Sequence, residues 1–356
     1  MNNIIFKKVN PKKLEEFAAA ALKKAGVPDS DAKLTAKILL DADLRGIDSH
    51  GVFNLYGYYV KGVQSGRINS KPNIKIIAGS PTTASVDGDN GLGFVTAHAA
   101  MTETIKMAKA YGTGWTTVFN SNHCGAGGYY ALMAAKENMI GIVFSTGGST
   151  VAGPGGKNRL VGNNVISVAA PGDKHGPFVL DMAPTMAIAN KLHMLEWAEK
   201  PIPEGWTVDS DGRTITDPKI YFEEKGAVLP LGSSISDGVY KGFGLLLVSD
   251  IMTGLLSGDG GSMFRKKGED SHAFCAIRID AFPTGGDFKS LMDSMIEKIH
   301  EQPTIEEVDG MKYPGERENE TYKKRIVEGI PLRENVIKSL EEMAQNLNLP
   351  INQIYL

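Results

Sequence analysis

The chain has 356 residues, of which 42% are hydrophobic and 22% charged, and this is the composition of a globular protein. The formal net charge of −3 and the lack of dense Lys/Arg runs argue against nucleic acid or an anionic membrane as a partner. Two cysteines, no signal-peptide pattern and no apolar run of about 18 residues predict a cytoplasmic protein without a disulfide framework or a membrane span.

The first 70 residues predict a small helical domain. Pro11 is typical of the first position of a helix, and Gly26 is typical of the residue that follows one. Residues 28–31 (PDSD) predict the start of a second helix, and residues 52–63 are expected to form a third.

From residue 71 the pattern changes to short strands alternating with helices, which predicts an α/β core over 71–317. The predicted strands are 74–77, 83–86, 116–119, 140–145, 165–170, 178–180 and 273–279, and the predicted helices are 95–110, 129–137, 240–256 and 288–300. Residues 193–236 are polar and rich in turn residues, and we expect a surface excursion there. A last amphipathic helix, 332–347, is expected to pack on the N-terminal helices, so that 318–356 joins 1–70 in the helical domain.

Two histidines stand among small polar residues, in Asp48-Ser49-His50-Gly51 and in Ser121-Asn122-His123. Each alone is as typical of a structural or capping histidine as of a functional one. Together, without the spacing of metal ligands, they favour acid–base chemistry on a small molecule and no metal site. His123 follows a predicted strand, and ligands of open α/β sheets bind at that end.

The usual dinucleotide-binding fingerprint is missing. Residues 91–96 (GLGFVT) resemble it but end in Thr, and no acidic residue follows at the spacing that ribose recognition needs. These residues instead predict a loop that leads into a packed helix, and the fold is not expected to be a Rossmann fold.

Three further residues each allow two interpretations. Cys124 is either a nucleophile beside His123 or a small residue that lines a turn, and no separate base is identifiable. Asp181 is either a helix cap or the carboxylate that orients an imidazole. Lys241 is either a solvated lysine at a helix start or a contact for a phosphate or carboxylate.

Several segments together resemble the malate/L-lactate/sulfolactate dehydrogenase family, which includes ureidoglycolate dehydrogenase and diketogulonate reductase. The segments are 43–52 (DLRGIDSHGV), 120–123 (NSNH), 179–183 (VLDMA), 202–206 (IPEGW), 241–244 (KGFG) and 314–316 (PGE). The match runs in order over roughly residues 10–345. The resemblance implies a homodimer with a mixed sheet flanked by helices, like that of L-sulfolactate dehydrogenase, which binds NAD or NADP without a Rossmann loop.

The resemblance also implies roles for individual residues. His50 is expected to transfer the proton with Ser49 as its neighbour, His123 is expected to be its partner or the alternative proton donor, and Asp181 is expected to belong to the same catalytic group. The expected cofactor contacts are Phe178, Val179, Leu180, Asp181, Met182, Ala183, Lys241, Gly315, Glu316 and Arg317.

The chain departs from the family pattern where substrate and cofactor are expected. The family places an arginine that holds the substrate carboxylate at the position of Asn54, and its Gly-Thr-Asn-Pro is Gly-Asn-Asn-Val at 162–165. The candidate substrate contacts are therefore Asn54, Asn122, Asn164, Arg45 and Arg159. We expect interconversion of a small 2-hydroxy acid and its 2-oxo acid. A cyclic imine (ketimine) reductase, a ureidoglycolate-type dehydrogenase and an inactive nucleotide-binding paralogue are the alternatives.

Overall fold

The computed structural model describes residues 6–264, 270–283 and 286–356. Its strands are Phe6–Val9 (β1), Lys75–Ser80 (β2), Thr83–Asp87 (β3), Thr113–Ser121 (β4), Met139–Thr146 (β5), Val151–Ala152 (β6), Arg159–Val161 (β7), Val165–Ala170 (β8), Phe178–Met182 (β9), Thr207–Val208 (β10), Ala227–Val228 (β11), Asp270–Arg278 (β12) and Ile330–Arg333 (β13). Its α-helices are Pro11–Lys24 (α1), Asp29–Leu44 (α2), Lys61–Gln64 (α3), Gly93–Tyr111 (α4), Gly127–Lys136 (α5), Ala189–Trp197 (α6), Pro218–Glu223 (α7), Val239–Asp250 (α8), Phe288–His300 (α9), Glu316–Glu328 (α10) and Glu334–Leu347 (α11).

The centre of the molecule is a mixed sheet of seven strands within the described residues, in the order β2-β3-β4-β12-β5-β8-β9. Only the β3–β4 pair is parallel, and the other neighbours run antiparallel. Helices α4, α5 and α8 pack on the sheet. The predicted α/β class, with a mixed sheet rather than a Rossmann fold, is confirmed.

The N- and C-terminal segments pack together. Helix α1 contacts α2 and α11, and β1 pairs with β13 in a two-stranded antiparallel sheet. The start of α1 follows from its sequence, because the Asn10 side chain accepts a hydrogen bond from the Lys13 N–H and Pro11 occupies the first turn. Residues 1–5 of the predicted helical domain lie outside the described residues.

The expected third helix, 52–63, is divided into three short pieces. Val52–Asn54 is a 3-10 helix, Leu55–Val60 is a π-helix, and α3 follows directly. π-Helical turns are rare and frequently lie at functional sites. Here the widened turn buries the ring of Tyr59, whose hydroxyl lies 2.6 Å from the His123 Nδ1.

Residues 193–236 form more than the surface excursion expected from the sequence. Strands β10 and β11 pair with β6 and β7 in a four-stranded sheet of the described residues. A separate apolar cluster lies beneath them and includes Leu192, Ile202, Ile215, Tyr221 and Val228 together with Val151 and Val161. This cluster was not predictable from the hydrophobic pattern, because its apolar members are single residues spread over several short elements among many polar and turn residues.

The structure has no helix, within its described residues, that combines the length and apolar composition needed to cross a bilayer.

Candidate active site

A cleft of about 790 Å³ opens between the helical domain and the edge of the main sheet. The end of α2, the start of α5, strand β9, helix α6 and the start of α10 form its walls. Its lining includes both polar catalytic candidates and a run of glycines. The members that matter below are Arg45, Asp48, Ser49, His50, the glycines at 125, 127 and 128, Asn163, Val179–Ala183, Lys191, Met194, Lys312, Gly315, Arg317, Glu318 and Arg333.

Residues 47–51, here called the histidine turn, pack against the buried carboxyl group of Asp43. The Asp43 side chain, 1% exposed, accepts a hydrogen bond of 2.8 Å from the Val52 N–H. A Cβ on Gly51 would lie 2.0 Å from the Asp43 Oδ1, so only glycine fits there. Arg325 donates to the Asp43 carbonyl oxygen and to the Asp48 carboxylate, which ties α10 to the same turn.

His50 lies in the cleft between a hydroxyl and a carboxylate. The Ser49 Oγ is 2.9 Å from the His50 Nδ1. Burial lowers the pKa of His50, and the Asp181 carboxylate opposes this effect. The charge of each group thus acts on the pKa of the other, and the two titrate as an interacting pair.

Asp181 is held at the end of β9 by two hydrogen bonds. The Ser167 Oγ donates to one carboxylate oxygen at 2.6 Å, and the Gly128 N–H, in the first turn of α5, donates to the other at 2.8 Å. Burial raises the pKa of Asp181, while these donors act in the opposite direction. These contacts place Asp181 on the cleft wall, and its role as an orienting carboxylate stays a prediction.

His123 stands behind His50 and outside the lining of the cleft. The two rings stack with centroids 5.5 Å apart. The Gly125 N–H donates to the His123 Nδ1, and the Tyr59 hydroxyl contacts the same nitrogen, so the ring proton of a neutral His123 lies on Nε2. Burial, with His50 and His272 nearby, lowers the pKa of His123 to about 3, which keeps this ring neutral at physiological pH.

The glycine-rich segment before α4 does not form a nucleotide loop. A Cβ on Gly93 would lie 1.9 Å from the Asn122 carbonyl oxygen, so this glycine lets α4 pack against the backbone that carries His123. Cys124 is 1% exposed and burial raises its pKa far above the ordinary range. Its thiol is therefore a turn-lining group and not an activated nucleophile.

Most of the predicted cofactor contacts lie together. Val179, Leu180, Asp181, Met182, Ala183, Gly315 and Arg317 all line the cleft. Phe178, Glu316 and Lys241 do not. Glu316 is turned toward His300, whose Nε2 is 2.9 Å away, and Lys241 lies exposed on α8.

The predicted substrate contacts are dispersed. Arg45 alone among them lines the cleft, and it is bound to Asp41 at 2.8 Å. Asn54 donates to the Ser49 carbonyl oxygen, Asn122 to the Gly91 carbonyl oxygen, and Arg159 to the Gly226 carbonyl oxygen in the second sheet.

Asn163, and not the predicted Asn164, lines the cleft. Asn164 has a positive φ of 39°, and its buried amide donates to the Leu246 carbonyl oxygen at 2.8 Å. This left-handed residue turns away while Asn163 lines the cleft. Asn163, Lys191 and Glu318 line the cleft but were not predicted from the sequence. An asparagine pair is a signal for a left-handed turn, but it does not say which member adopts it.

The residues that line the cleft are suited to binding a dinucleotide. The start of α5 faces the cleft with the glycines at 125, 127 and 128, and helix N-termini favour phosphate groups. A Cβ on Gly128 would lie 3.1 Å from the Asp181 Oδ2 and 3.2 Å from Val179, so glycine keeps this wall open. Arg317 adds an exposed guanidinium at the start of α10.

Known proteins resemble the chain over nearly its whole length. A family model described as malate/L-lactate dehydrogenase matches residues 9–341. A protein of Pyrococcus horikoshii named malate dehydrogenase is 40% identical over 95% of this chain and 94% of its own. One of Methanocaldococcus jannaschii named L-sulfolactate dehydrogenase is 35% identical over 98% of both chains. The solved structure of the Pyrococcus horikoshii malate dehydrogenase superposes with a TM-score of 0.89 at 37% identity, covering 98% of this chain and 99% of that one.

Proposed function

The chain belongs to the malate/L-lactate dehydrogenase family, and on this premise we propose that it interconverts a small 2-hydroxy acid and its 2-oxo acid. It is a dehydrogenase that acts on CH–OH donors. The substrate class and the proton-transfer role rest on the position of His50. Its ring faces a cleft of about 790 Å³, the Ser49 Oγ contacts its Nδ1, and the charge of Asp181 acts on it.

His50 transfers the proton. Because Ser49 engages its Nδ1, the Nε2 is the atom that meets the substrate oxygen. During reduction, Nε2–H of the imidazolium gives its proton to the carbonyl oxygen of the 2-oxo acid, and the neutral ring regains one from solvent. A nicotinamide dinucleotide, when bound, supplies the hydride that the carbonyl carbon receives. In the oxidative direction the neutral His50 removes the proton from the hydroxyl group.

His123 supports His50 but does not exchange the proton. A ring whose pKa is lowered to about 3 stays neutral through the working range of a cellular enzyme, so it is a poor acid–base group there. Its ring stacks on His50, and we assign it to holding the His50 ring in position. Asp181 offsets the burial of His50 and so favours the protonated form that reduction needs.

We propose NAD or NADP as the cofactor, bound along β9 and the start of α5. The phosphates face Arg317 and the N-terminus of α5, and Val179–Ala183 form the wall beside them. The choice between the two is made by comparing KM for NADH and NADPH.

We also propose a cytoplasmic homodimer that uses the outer face of α8 and of the π-helix Ile251–Leu255. Leu245, Val248, Ile251 and Leu255 are each 43–52% exposed and recur at helical spacing. Lys241 lies on α8 one turn before Leu245. A dimer built on this face places Lys241 at the interface, away from the cleft of its own chain.

The test is turnover of a panel of acids followed at the nicotinamide absorbance. The panel contains oxaloacetate, pyruvate, sulfopyruvate, a cyclic imine acid and, in the oxidative direction, ureidoglycolate. Turnover of a 2-oxo acid that falls at least about 100-fold in His50→Ala supports the proposal. Full turnover by His50→Ala would refute the role of His50, and turnover of the imine acid alone would refute the substrate class.

A further inference from the structure

The proposed substrate carries a carboxylate, and only some of the cations in the cleft are free to bind it. Among the described residues five cations line the cleft, and two of them form ion pairs, Arg45 with Asp41 and Lys312 with Glu320. A third, Arg333, is half-buried, lies over the ring of Phe6 and leaves its buried Nε without a hydrogen-bond partner. Within the same described part of the chain, Lys191 and Arg317 are the cleft cations that are both exposed and without a hydrogen-bond or ion-pair partner for their charged groups.

The two exposed, unpaired cations, Lys191 and Arg317, lie on different walls. Arg317 stands at the start of α10, two residues after Gly315, which packs against Val179 of β9. This is the wall assigned to the phosphates. Lys191 lies in the first turn of α6, on the opposite side, beside the histidine turn.

Helix α6 is fastened at one end to the histidine turn and at the other to the 3-10 helix Val52–Asn54 that follows it. The Asn190 side chain donates to the Ser49 carbonyl oxygen at 2.7 Å. Near the other end of the helix, the ring of Trp197 contacts Phe53 with centroids 5.1 Å apart. Lys191 follows Asn190 directly, so its flexible stem starts beside the peptide that joins Ser49 to His50.

The orientation of α6 also points Lys191 into the cleft. Met194, one helical turn later, lines the cleft and also a small cavity behind it that Asp48 borders. Residues three apart lie on the same helix face, so Lys191 and Met194 share the face that looks toward the histidine turn.

Asn54, at the position where the family has an arginine, is not free to bind the substrate carboxylate. Its amide donates to the Ser49 carbonyl oxygen at 2.9 Å, and this oxygen thus accepts from Asn54 and Asn190 together. Two donors occupy both lone pairs of the carbonyl group. Asn54 therefore acts on the histidine turn, and a carboxylate in the cleft needs a cation from another element.

We infer that Lys191 binds the carboxylate of the 2-oxo or 2-hydroxy acid, an assignment that rests on the proposed function. The ammonium group of Lys191 makes a charge-assisted hydrogen bond to the carboxylate while the reacting oxygen faces the His50 Nε2. Arg317 takes the cofactor phosphates on the opposite wall. Asn190 determines where Lys191 starts, and thereby sets the distance between carboxylate and proton donor.

The experiment compares wild type with Lys191→Gln, Lys191→Arg and, as matched control, Lys200→Gln. Lys200 is an exposed lysine just past the end of α6 and outside the lining of the cleft. Each variant is assayed with the 2-oxo acid that wild type reduces best, with the methyl ester of that acid, and with varied NADH or NADPH. Lys191→Gln is expected to raise KM for the acid roughly 10- to 100-fold and to change kcat much less.

The ester and the cofactor serve as internal controls. KM for the ester and for the cofactor is expected to stay unchanged in Lys191→Gln, Lys191→Arg is expected to recover most of the affinity for the acid, and Lys200→Gln is expected to behave as wild type. An unchanged KM for the acid in Lys191→Gln, or a raised KM for the cofactor alone, would overturn the assignment but leave the proposed function intact. Absence of turnover by wild type with every 2-oxo acid would overturn both.

Discussion

Replacing Asp43 by asparagine is expected to stabilise the protein, and by more at pH 8 than at pH 5. Burial raises the pKa of Asp43 from 3.8 to about 8, although the Val52 N–H and Arg325 act in the opposite direction. The folded protein therefore keeps a proton that the unfolded chain releases above about pH 4. Stability falls as pH rises through this window, by about 1.4 kcal/mol per unit, and levels off above pH 8. The buried carboxyl group thus costs about 2 kcal/mol at pH 5 and about 5 kcal/mol at pH 8.

Asparagine cannot ionise, and its amide oxygen still accepts the hydrogen bond from the Val52 N–H. The gain in the free energy of unfolding from Asp43→Asn should consequently be about 3 to 4 kcal/mol larger at pH 8 than at pH 5. Urea unfolding followed by circular dichroism at both pH values measures it. Glu16→Gln, which removes an exposed carboxylate from α1, is the control and should give the same small change at both. Parallel pH dependences for wild type and Asp43→Asn would refute the reasoning.

Asp181→Asn removes the charge that opposes the burial of His50, so the pKa of His50 should fall and the pH above which reduction declines should move to lower pH in a pH–rate profile. His123→Phe keeps a ring stacked on His50 but loses the Nδ1 contacts with Tyr59 and the Gly125 N–H that orient it, and it should lower kcat roughly 10-fold without moving that profile. Val248→Asp places a charge on the exposed face of α8 and should convert a dimer into monomers in light scattering, while Lys200→Gln, an exposed change outside that face, should stay dimeric.

The helices and strands that could be predicted from the sequence are those with a strong hydrophobic period or a clear end signal. The long helices α1, α2, α4 and α11 and most strands of the main sheet were predicted close to their observed bounds. The histidine turn was also found, because a histidine between serine and glycine is unusual in a core. Two-residue strands such as β6 and β10 carry no detectable period, and their pairing depends on contacts between distant parts of the chain.

The substrate wall was the least predictable part of the site. A change of one residue in a turn decides which asparagine of the pair 163–164 lines the cleft, and a left-handed φ at the second is not readable from composition. Lys191 carries no motif of its own, since its position depends on how Asn190 docks α6 on the histidine turn. The pairing of Arg45 with Asp41, by contrast, follows from their spacing of four residues on α2.

The order of strands in the main sheet has a consequence for biosynthesis. Strand β12 lies between β4 and β5, although it follows them in the chain by more than a hundred residues. While the ribosome synthesises the protein, β4 and β5 emerge before β12, so the strand edges that pair with β12 in the folded sheet have no partner. The sheet cannot close until residues 270–278 have left the exit tunnel, so two strand edges stay unpaired while more than a hundred residues are added to the nascent chain. Such non-local pairing is expected to slow folding and to leave the nascent chain prone to edge-to-edge association until β12 is in place.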